Sequence, residues 1–296
     1  MPRLAREKSE RSIFHIMIRS ISEIDLFKKD EDKQKYFELI KKYKQKYQFK
    51  LYAYCLMTNH GHLMIDVNGA DISRIMHSIN FCYAQYYNRK YKRHGHVFQD
   101  RFKSKMVNDE NYLITLSAYI HNNTKDLPMY KDHIEEYEFS SLKEYMHQSN
   151  TFGILDGLFL IDLMNLKSRK NRDDYLNLVK KCDNEKNELD IEFENVEYEY
   201  RSERRIISRD YKPSKVIEFV AAYLKEEKEG VRIKYSRKYS KLRAISCFFM
   251  SCFCNINQKN ICHILGNITQ TNVSRLCRVG MEMVFKDKMI LERFLA

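Results

Sequence analysis

The sequence lacks the features that would place it in a membrane or in an export pathway. It has no run of about 18 apolar residues, the length that a membrane-spanning helix needs. Its N-terminus, MPRLAREKSERS, carries charges but no following apolar stretch of a secretion signal. A glycine-rich loop for nucleotide phosphates is also missing. We therefore expect a cytoplasmic protein with no membrane-spanning segment, and the missing loop is consistent with chemistry that needs no nucleoside triphosphate.

The sequence is also poor in closely spaced cysteine pairs. Five of its eight cysteines lie in the C-terminal part: Cys247, Cys252, Cys254, Cys262 and Cys277. A four-ligand zinc site needs tight thiol spacing on both sides, and these intervals do not provide it. In a long chain without a secretion signal, we interpret the cysteines as reduced thiols of the core.

Positive charge is abundant. The 296 residues carry a formal charge of +12, which indicates an anionic partner such as nucleic acid or a charged membrane surface. From Asp183 to Glu203, nine acidic residues stand against two basic ones, which indicates a domain boundary or a solvated connector. We therefore divide the chain into a domain over residues 1–147, a partly acidic connector over 148–210 and a helical region over 211–296.

Hydrophobic periodicity predicts an alternation of strands and helices in the first half. Strands are expected at Ile13–Arg19, Phe49–Met57 and His60–Val67, with a strand or extended loop at Val97–Val107. Helices are expected at Glu31–Tyr47, after Asp71 as N-cap, and up to Asn122 after a cap at Asn108 or Asp109. The order β-α-β-β-α-β-α indicates an α+β fold with an antiparallel sheet backed by helices.

The last part of the chain is predicted to be helical. Ile261, Ile264 and Leu265 precede Gly266, and a capped second helix follows, which is the pattern of a helix-turn-helix. In that interpretation, four side chains face base edges or phosphates: Gln270, Thr271, Asn272 and Arg275. An ordinary helical hairpin, used for packing or dimerisation, is the alternative.

Two groups of residues suggest chemistry. His60 and His62 are two apart on a predicted strand, so both imidazoles project from the same face and can share a metal ion. Tyr119 and Asn123 are four apart on a predicted helix, so they lie on consecutive turns. Each pair taken alone is weak, since exposed histidines and amphipathic helix tyrosines are common.

Taken together, these groups lie within ordered blocks that resemble a known family. The blocks are AYCLMTNHGHLMI at 53–65, GHVFQDRFKS at 95–104, SAYIHNN at 117–123 and FSSL at 139–142. They are similar to the HUH single-tyrosine transposases, and most similar to the REP-associated tyrosine transposases. The resemblance covers residues 2–146. It departs at Gly61, where the family usually has a bulky apolar residue.

The resemblance implies a ferredoxin-like fold and a role for each matching residue. His60 and His62 correspond to the metal-binding pair, Asn123 to a third ligand and Tyr119 to the nucleophile. A tyrosine hydroxyl, with a pKa of about 10, is a poor nucleophile towards an anionic phosphodiester. A divalent ion, Mg²⁺ or Mn²⁺, would neutralise the phosphate oxygens. The implied product is a 5′-phosphotyrosine and a free 3′-hydroxyl, which permits strand rejoining.

Rings and cations beside these residues indicate single-stranded or hairpin DNA, including repeated palindromic elements, as the partner. The predicted contacts are Tyr87, Arg89, Lys90, Tyr91, Lys92, Arg93, Arg101, Lys103 and Lys105. We expect Tyr83 and Tyr86 to pack inward instead. Two alternatives stay open: a domesticated DNA-binding or regulatory protein on the same fold, and an RNA-binding module.

Overall fold

The computed structural model describes residues 12–182, except 23 and 108, and residues 207–295, except 208. The chain divides into two compact units, Met1–Arg205 and Ile206–Ala296. The acidic stretch from Asp183 to Glu203 and the predicted cap Asn108 lie outside the described residues. None of the helices described is both long and apolar enough to span a bilayer.

The first unit is built on a four-stranded antiparallel sheet. Its strands are β1 (Ile13–Arg19), β2 (Lys50–Leu56), β3 (His60–Asp66) and β4 (Lys103–Met106), arranged in the order β2-β3-β1-β4. Helix α1 (Asp30–Tyr47) connects β1 to β2, and α2 (Ile72–Lys90) connects β3 to β4. Two β-α-β units thus interleave in one sheet, which confirms the predicted α+β, ferredoxin-like arrangement.

The two faces of this sheet have different partners because side chains alternate along a strand. One face carries Tyr54, whose ring lies 4.8 Å from that of Phe37 on α1. The opposite face carries His62, whose ring lies 5.5 Å from that of Tyr119 on α3 (Glu110–Asn122). The sheet therefore separates a purely structural face from the face that holds the candidate chemistry.

Residues 148–182 differ from the predicted connector. Within the described residues of the first unit, three α-helices follow α3: α4 (Ser141–His147), α5 (Leu158–Leu163) and α6 (Arg169–Lys181). Leu160, Tyr175 and Val179 are buried in the core of this unit, and the Tyr175 hydroxyl donates to Ser117 Oγ on α3 at 2.9 Å. This stretch belongs to the first unit because it completes the cover over α3.

Gly61, the departure from the family pattern, is fitted to its neighbours. A Cβ at this position would lie 2.8 Å from Leu56 Cδ2 and 3.4 Å from Ile18 Cγ1. Leu56 is opposite Gly61 on β2, and its side chain is fully buried. The missing side chain between the two histidines is therefore replaced by Leu56 from the neighbouring strand.

The second unit is helical, as predicted. Its helices are α7 (Pro213–Leu224), α8 (Ser240–Phe253), α9 (Gln258–Ile264), α10 (Gln270–Lys286) and α11 (Lys288–Leu295). A short turn joins α9 to α10, and there Gly266 has a φ of +88°. A Cβ on Gly266 would lie 2.9 Å from the Arg232 carbonyl oxygen, so both the backbone angle and the close approach favour glycine.

The packing of Leu56 over Gly61 can be tested with a double-mutant cycle. In the wild type, Gly61→Ala forces Leu56 to move. In the Leu56→Ala background, the methyl group added by Gly61→Ala partly fills the cavity that the lost leucine side chain leaves. We expect Gly61→Ala to be more favourable in the Leu56→Ala background than in the wild type by about 1 kcal/mol or more. Urea unfolding of the four proteins measures this, and additive effects would contradict the packing described.

Candidate active site

His60 and His62 lie on the same face of β3. Their ring centroids are 5.2 Å apart, and the Asn59 side-chain oxygen accepts a hydrogen bond from His60 Nδ1 at 2.7 Å. His60 is half-buried, whereas His62 is 1% exposed. Burial, assisted by the neighbouring histidines, holds the pKa of His62 well below its usual value. His62 is therefore uncharged at neutral pH, which is the form of imidazole that binds metals.

Helix α3 brings Tyr119 to these histidines. The helix begins after Asp109, whose side chain accepts a hydrogen bond from the Tyr112 backbone N–H at 2.7 Å. The Tyr119 ring meets His62 edge to face at 5.5 Å and is itself 1% exposed. The structure therefore brings together three of the predicted site residues, with the tyrosine beneath the protein surface.

A buried histidine fixes the rotation of this helix. His121 Nδ1 lies 2.8 Å from the Tyr175 hydroxyl, and its Nε2 lies 2.8 Å from Ser141 Oγ. Burial lowers the pKa of His121 to about 3, so the ring is neutral. These two bonds tie α3 to α6 and α4, and Ser141 Oγ also accepts a hydrogen bond from the Tyr54 backbone N–H of β2 at 2.9 Å.

His15 is a site residue that the sequence analysis missed. It projects from β1 on the same face as His62, and its Nε2 lies 2.9 Å from His62 Nδ1. Its ring also meets that of Tyr119 edge to face at 5.8 Å. Burial, together with the positive charge of Lys105, lowers the pKa of His15 to about 3. The only signal in the sequence is a polar residue at an inward position of an otherwise apolar strand.

The donor set is compatible with a divalent ion. His62 Nδ1 lies 2.9 Å from His15 Nε2, so Nε2 is the ring nitrogen of His62 that is left for a metal. The amide nitrogen of Asn123 donates to the Tyr119 carbonyl oxygen at 2.9 Å, so only its side-chain oxygen is suited to a metal. Among the described residues, no group of three or more His, Cys, Asp or Glu is placed to hold a metal. Asn123 as third ligand therefore stays a prediction.

Cations line the edge of the same face. Lys103 pairs with Met17 and Lys105 pairs with His15 in the β1–β4 register, so both lysines project towards the histidine side of the sheet. Arg19, which is exposed, pairs with His60 and shares its face. The structure thus supports the predicted placement of Lys103 and Lys105 near the site, and it adds Arg19, which the sequence analysis missed.

Three predicted DNA contacts instead hold the fold together, two of them through hydrogen bonds to Asp32. This buried carboxylate accepts hydrogen bonds from the Tyr91 hydroxyl at 2.6 Å and from Lys90 Nζ at 2.8 Å. Although burial opposes it, these bonds hold the pKa of Asp32 below its usual value. Tyr87 is fully buried, and its hydroxyl donates to the Asp25 carbonyl oxygen. The structure does not support base stacking on Tyr87, because its ring is enclosed between α2 and the loop before α1.

The other predicted cations differ in exposure. Arg89, Lys92 and Arg101 are exposed, which is compatible with phosphate contact. Arg93 is half-buried, with its guanidinium 6.0 Å from the centroid of the Tyr87 ring. Tyr83 and Tyr86 pack inward as expected, since Tyr83 is fully buried and the Tyr86 hydroxyl donates to Asp32. The predicted aromatic contacts therefore pack inward, whereas three of these cations are exposed.

Comparisons with known proteins found a family match and a structural match. Residues 8–123 match the family described as transposase IS200 like. A solved structure described as a REP-associated tyrosine transposase bound to a REP hairpin matches with a TM-score of 0.43 and 16% identity, over 52% of this chain and 88% of that one. No curated protein matches the chain.

The neutral state of His121 predicts a pH effect on stability. Its pKa is about 3 in the folded protein and about 6.5 when unfolded, so the unfolded state binds the extra proton between these values. Stability is therefore lost as pH falls from 6.5 towards 3, by about 2 kcal/mol for this one group at pH 5. Urea unfolding at pH 7.5 and pH 5 should show a smaller loss for His121→Asn than for the wild type. An equal loss in both proteins would contradict a neutral, buried His121.

Proposed function

We propose that the first unit cuts and rejoins single-stranded or hairpin DNA through a covalent bond to Tyr119. The observation that supports this proposal most is the edge-to-face contact between Tyr119 and His62, because a tyrosine hydroxyl beside a pair of potential metal ligands is suited to attack a phosphate. The family match to IS200-like transposases over residues 8–123 supports DNA as the substrate.

The bond changes of this reaction balance without a cofactor that is consumed. The Tyr119 oxygen forms a bond to phosphorus, and the bond from phosphorus to the 3′-oxygen breaks. The tyrosine proton is lost to solvent and the leaving 3′-oxygen gains one, giving a 5′-phosphotyrosine and a free 3′-hydroxyl. A 3′-hydroxyl attacking the phosphotyrosine reverses these changes and rejoins a strand.

Charge is the main obstacle for this attack, because both the phosphodiester and the tyrosine oxygen are electron-rich. A divalent ion, Mg²⁺ or Mn²⁺, held by His60, His62 and Asn123 would neutralise the phosphate oxygens. Lys103, Lys105 and Arg19 project from the same face and are suited to bind the flanking phosphates. Because Tyr119 is 1% exposed, the groups that cover it must move before DNA reaches it.

Substitution of Tyr119 tests the nucleophile. Tyr119→Phe removes only the attacking oxygen and keeps the ring contacts with His15 and His62, so we expect DNA binding to persist and cleavage to disappear. The assay uses hairpin oligonucleotides copied from repeats that flank the gene, with Mn²⁺, and detects a covalent adduct on a denaturing gel. Tyr112→Phe, on the same helix, is the matched control and should cleave normally.

An adduct that persists in Tyr119→Phe would remove this tyrosine from the role. A wild-type protein that shifts the hairpin in a gel but forms no adduct would favour the DNA-binding, non-mobilising alternative. Stronger binding to an RNA oligonucleotide than to its DNA counterpart would favour the RNA-binding module.

We also propose that the second unit binds duplex DNA through the start of α10. The Thr269 side chain accepts a hydrogen bond from the Asn272 backbone N–H, and Val273 is buried in the core of this unit. Gln270, Thr271 and Arg275 are exposed on the first turns, whereas Asn272 is half-buried. A capped helix with polar, exposed first turns after a short turn is the arrangement that a recognition helix needs.

Arg275 gives a direct test of this surface. Arg275→Ala should weaken binding to a duplex and lower the salt dependence by about one ion, if the side chain contacts phosphate. Lys286→Ala, at the far end of α10 and also exposed, is the matched control and should bind like the wild type. Affinities at two salt concentrations measure both. Unchanged binding by Arg275→Ala would favour the packing or dimerisation module, which a stable dimer in solution would support.

A further inference from the structure

His15 makes a buried contact that the proposed reaction does not use. It is 3% exposed, and its ring lies nearly parallel to that of His62 and meets it edge to edge, with centroids 5.2 Å apart and an interplanar angle of 24°. The 2.9 Å distance between His15 Nε2 and His62 Nδ1 is that of a hydrogen bond within the sheet. Two ring nitrogens that face each other in a core require that one carries the proton and the other accepts it.

We propose that His15 is a positioning residue that sets the tautomer of His62, so that His62 presents an unprotonated Nε2 to a divalent ion. This inference rests on the proposed function, because it assigns His15 a role only if His62 binds a metal. His15 itself does not contact the metal or the DNA in this account. It acts by fixing the position of the proton that it shares with His62 and the orientation of the His62 ring.

The shared proton has two arrangements with opposite consequences. If it sits on His62 Nδ1, it is donated to His15 Nε2, and His62 Nε2 keeps its lone pair for a ligand. If it sits on His15 Nε2, His62 accepts it at Nδ1 and carries its own proton on Nε2, where it would block a metal. A metal-binding histidine generally donates its other N–H to an acceptor that fixes its tautomer and ring orientation. His15 occupies the position of that acceptor.

The contacts of His15 also fix the ring planes. The imidazole contacts His62 through its Nε2 edge and meets the Tyr119 ring edge to face at 5.8 Å. The β1–β3 register pairs His15 with Met64 and Met17 with His62, so the two histidines are diagonal neighbours on the sheet. The paired strands β1 and β3 therefore hold His15 in place. A residue that orients a metal ligand must itself be held rigidly.

Two substitutions separate the hydrogen bond from the packing. His15→Phe keeps an aromatic ring against His62 and Tyr119 but removes the acceptor. His15→Gln keeps an acceptor oxygen on a side chain of similar reach but removes the ring. We expect His15→Phe to lower the affinity for Mn²⁺ by 10- to 100-fold, about the effect of losing such a contact, and His15→Gln to recover most of it. A purely structural role would give the reverse order, since Phe preserves the packing better.

The experiment measures Mn²⁺ binding to the full chain by electron paramagnetic resonance, without DNA. His62→Ala is the reference for loss of the site, and thermal unfolding checks that each variant is folded. If His62→Ala loses Mn²⁺ binding while His15→Phe keeps the wild-type affinity, the inference on His15 is wrong and the proposed metal site stands. If the wild type and His62→Ala bind Mn²⁺ equally, the proposed metal site itself is wrong.

A second measurement needs neither a variant of His15 nor a metal. Nitrogen-15 NMR of histidine-labelled wild-type protein identifies which ring nitrogen of His62 is protonated, with the signal assigned through its absence in His62→Ala. The account predicts a proton on Nδ1 of His62 in the metal-free protein. A proton on Nε2 instead would overturn the proposal even if His15→Phe failed to fold.

Discussion

The antiparallel pairing of β1 with β3 at the centre of the sheet sets the geometry of everything else in the first unit. Its register, with Met17 opposite His62 and Arg19 opposite His60, puts His15, Arg19 and both histidines of β3 on one face. A shift of one residue would turn these side chains towards α1 and α2. The apolar residues on the other face, such as Ile16 and Ile18, are buried and prevent that shift.

The two faces of the same sheet have different roles, since one holds the fold together and the other carries the proposed active site. On the side of α1 and α2, aromatic rings and the Asp32 network hold two helices together, and no described side chain there is needed for the proposed reaction. On the other side, the bonds of His121 hold α3 to α4 and α6, and Tyr119 lies against the histidines. A buried histidine thus has a purely structural role two residues from the proposed nucleophile.

Local sequence was sufficient for some of these features and insufficient for others. The period-two spacing of His60 and His62 and the helical spacing around Tyr119 specify faces, and the family blocks identify which faces meet. His15 could not be found this way, because its place beside His62 comes from a strand register that local sequence does not encode.

Tyr87, Lys90 and Tyr91 have the composition of a nucleic-acid surface. A distant carboxylate on α1 nevertheless binds Lys90 and Tyr91 inward, and Tyr87 is enclosed. The acidic stretch after residue 182 led to a connector over 148–210, whereas contacts with distant residues include 148–182 in the first unit.

The central claim is that the Tyr119 oxygen forms a covalent bond to DNA, at a site whose geometry β1 and β3 determine. The most direct measurement is mass spectrometry of the protease-digested covalent adduct formed with a hairpin oligonucleotide, because it identifies the modified residue without reliance on loss of activity. The account predicts a nucleotide on the peptide that contains Tyr119, joined through a 5′-phosphate. A nucleotide on any other residue, or a link through a 3′-phosphate, would contradict it.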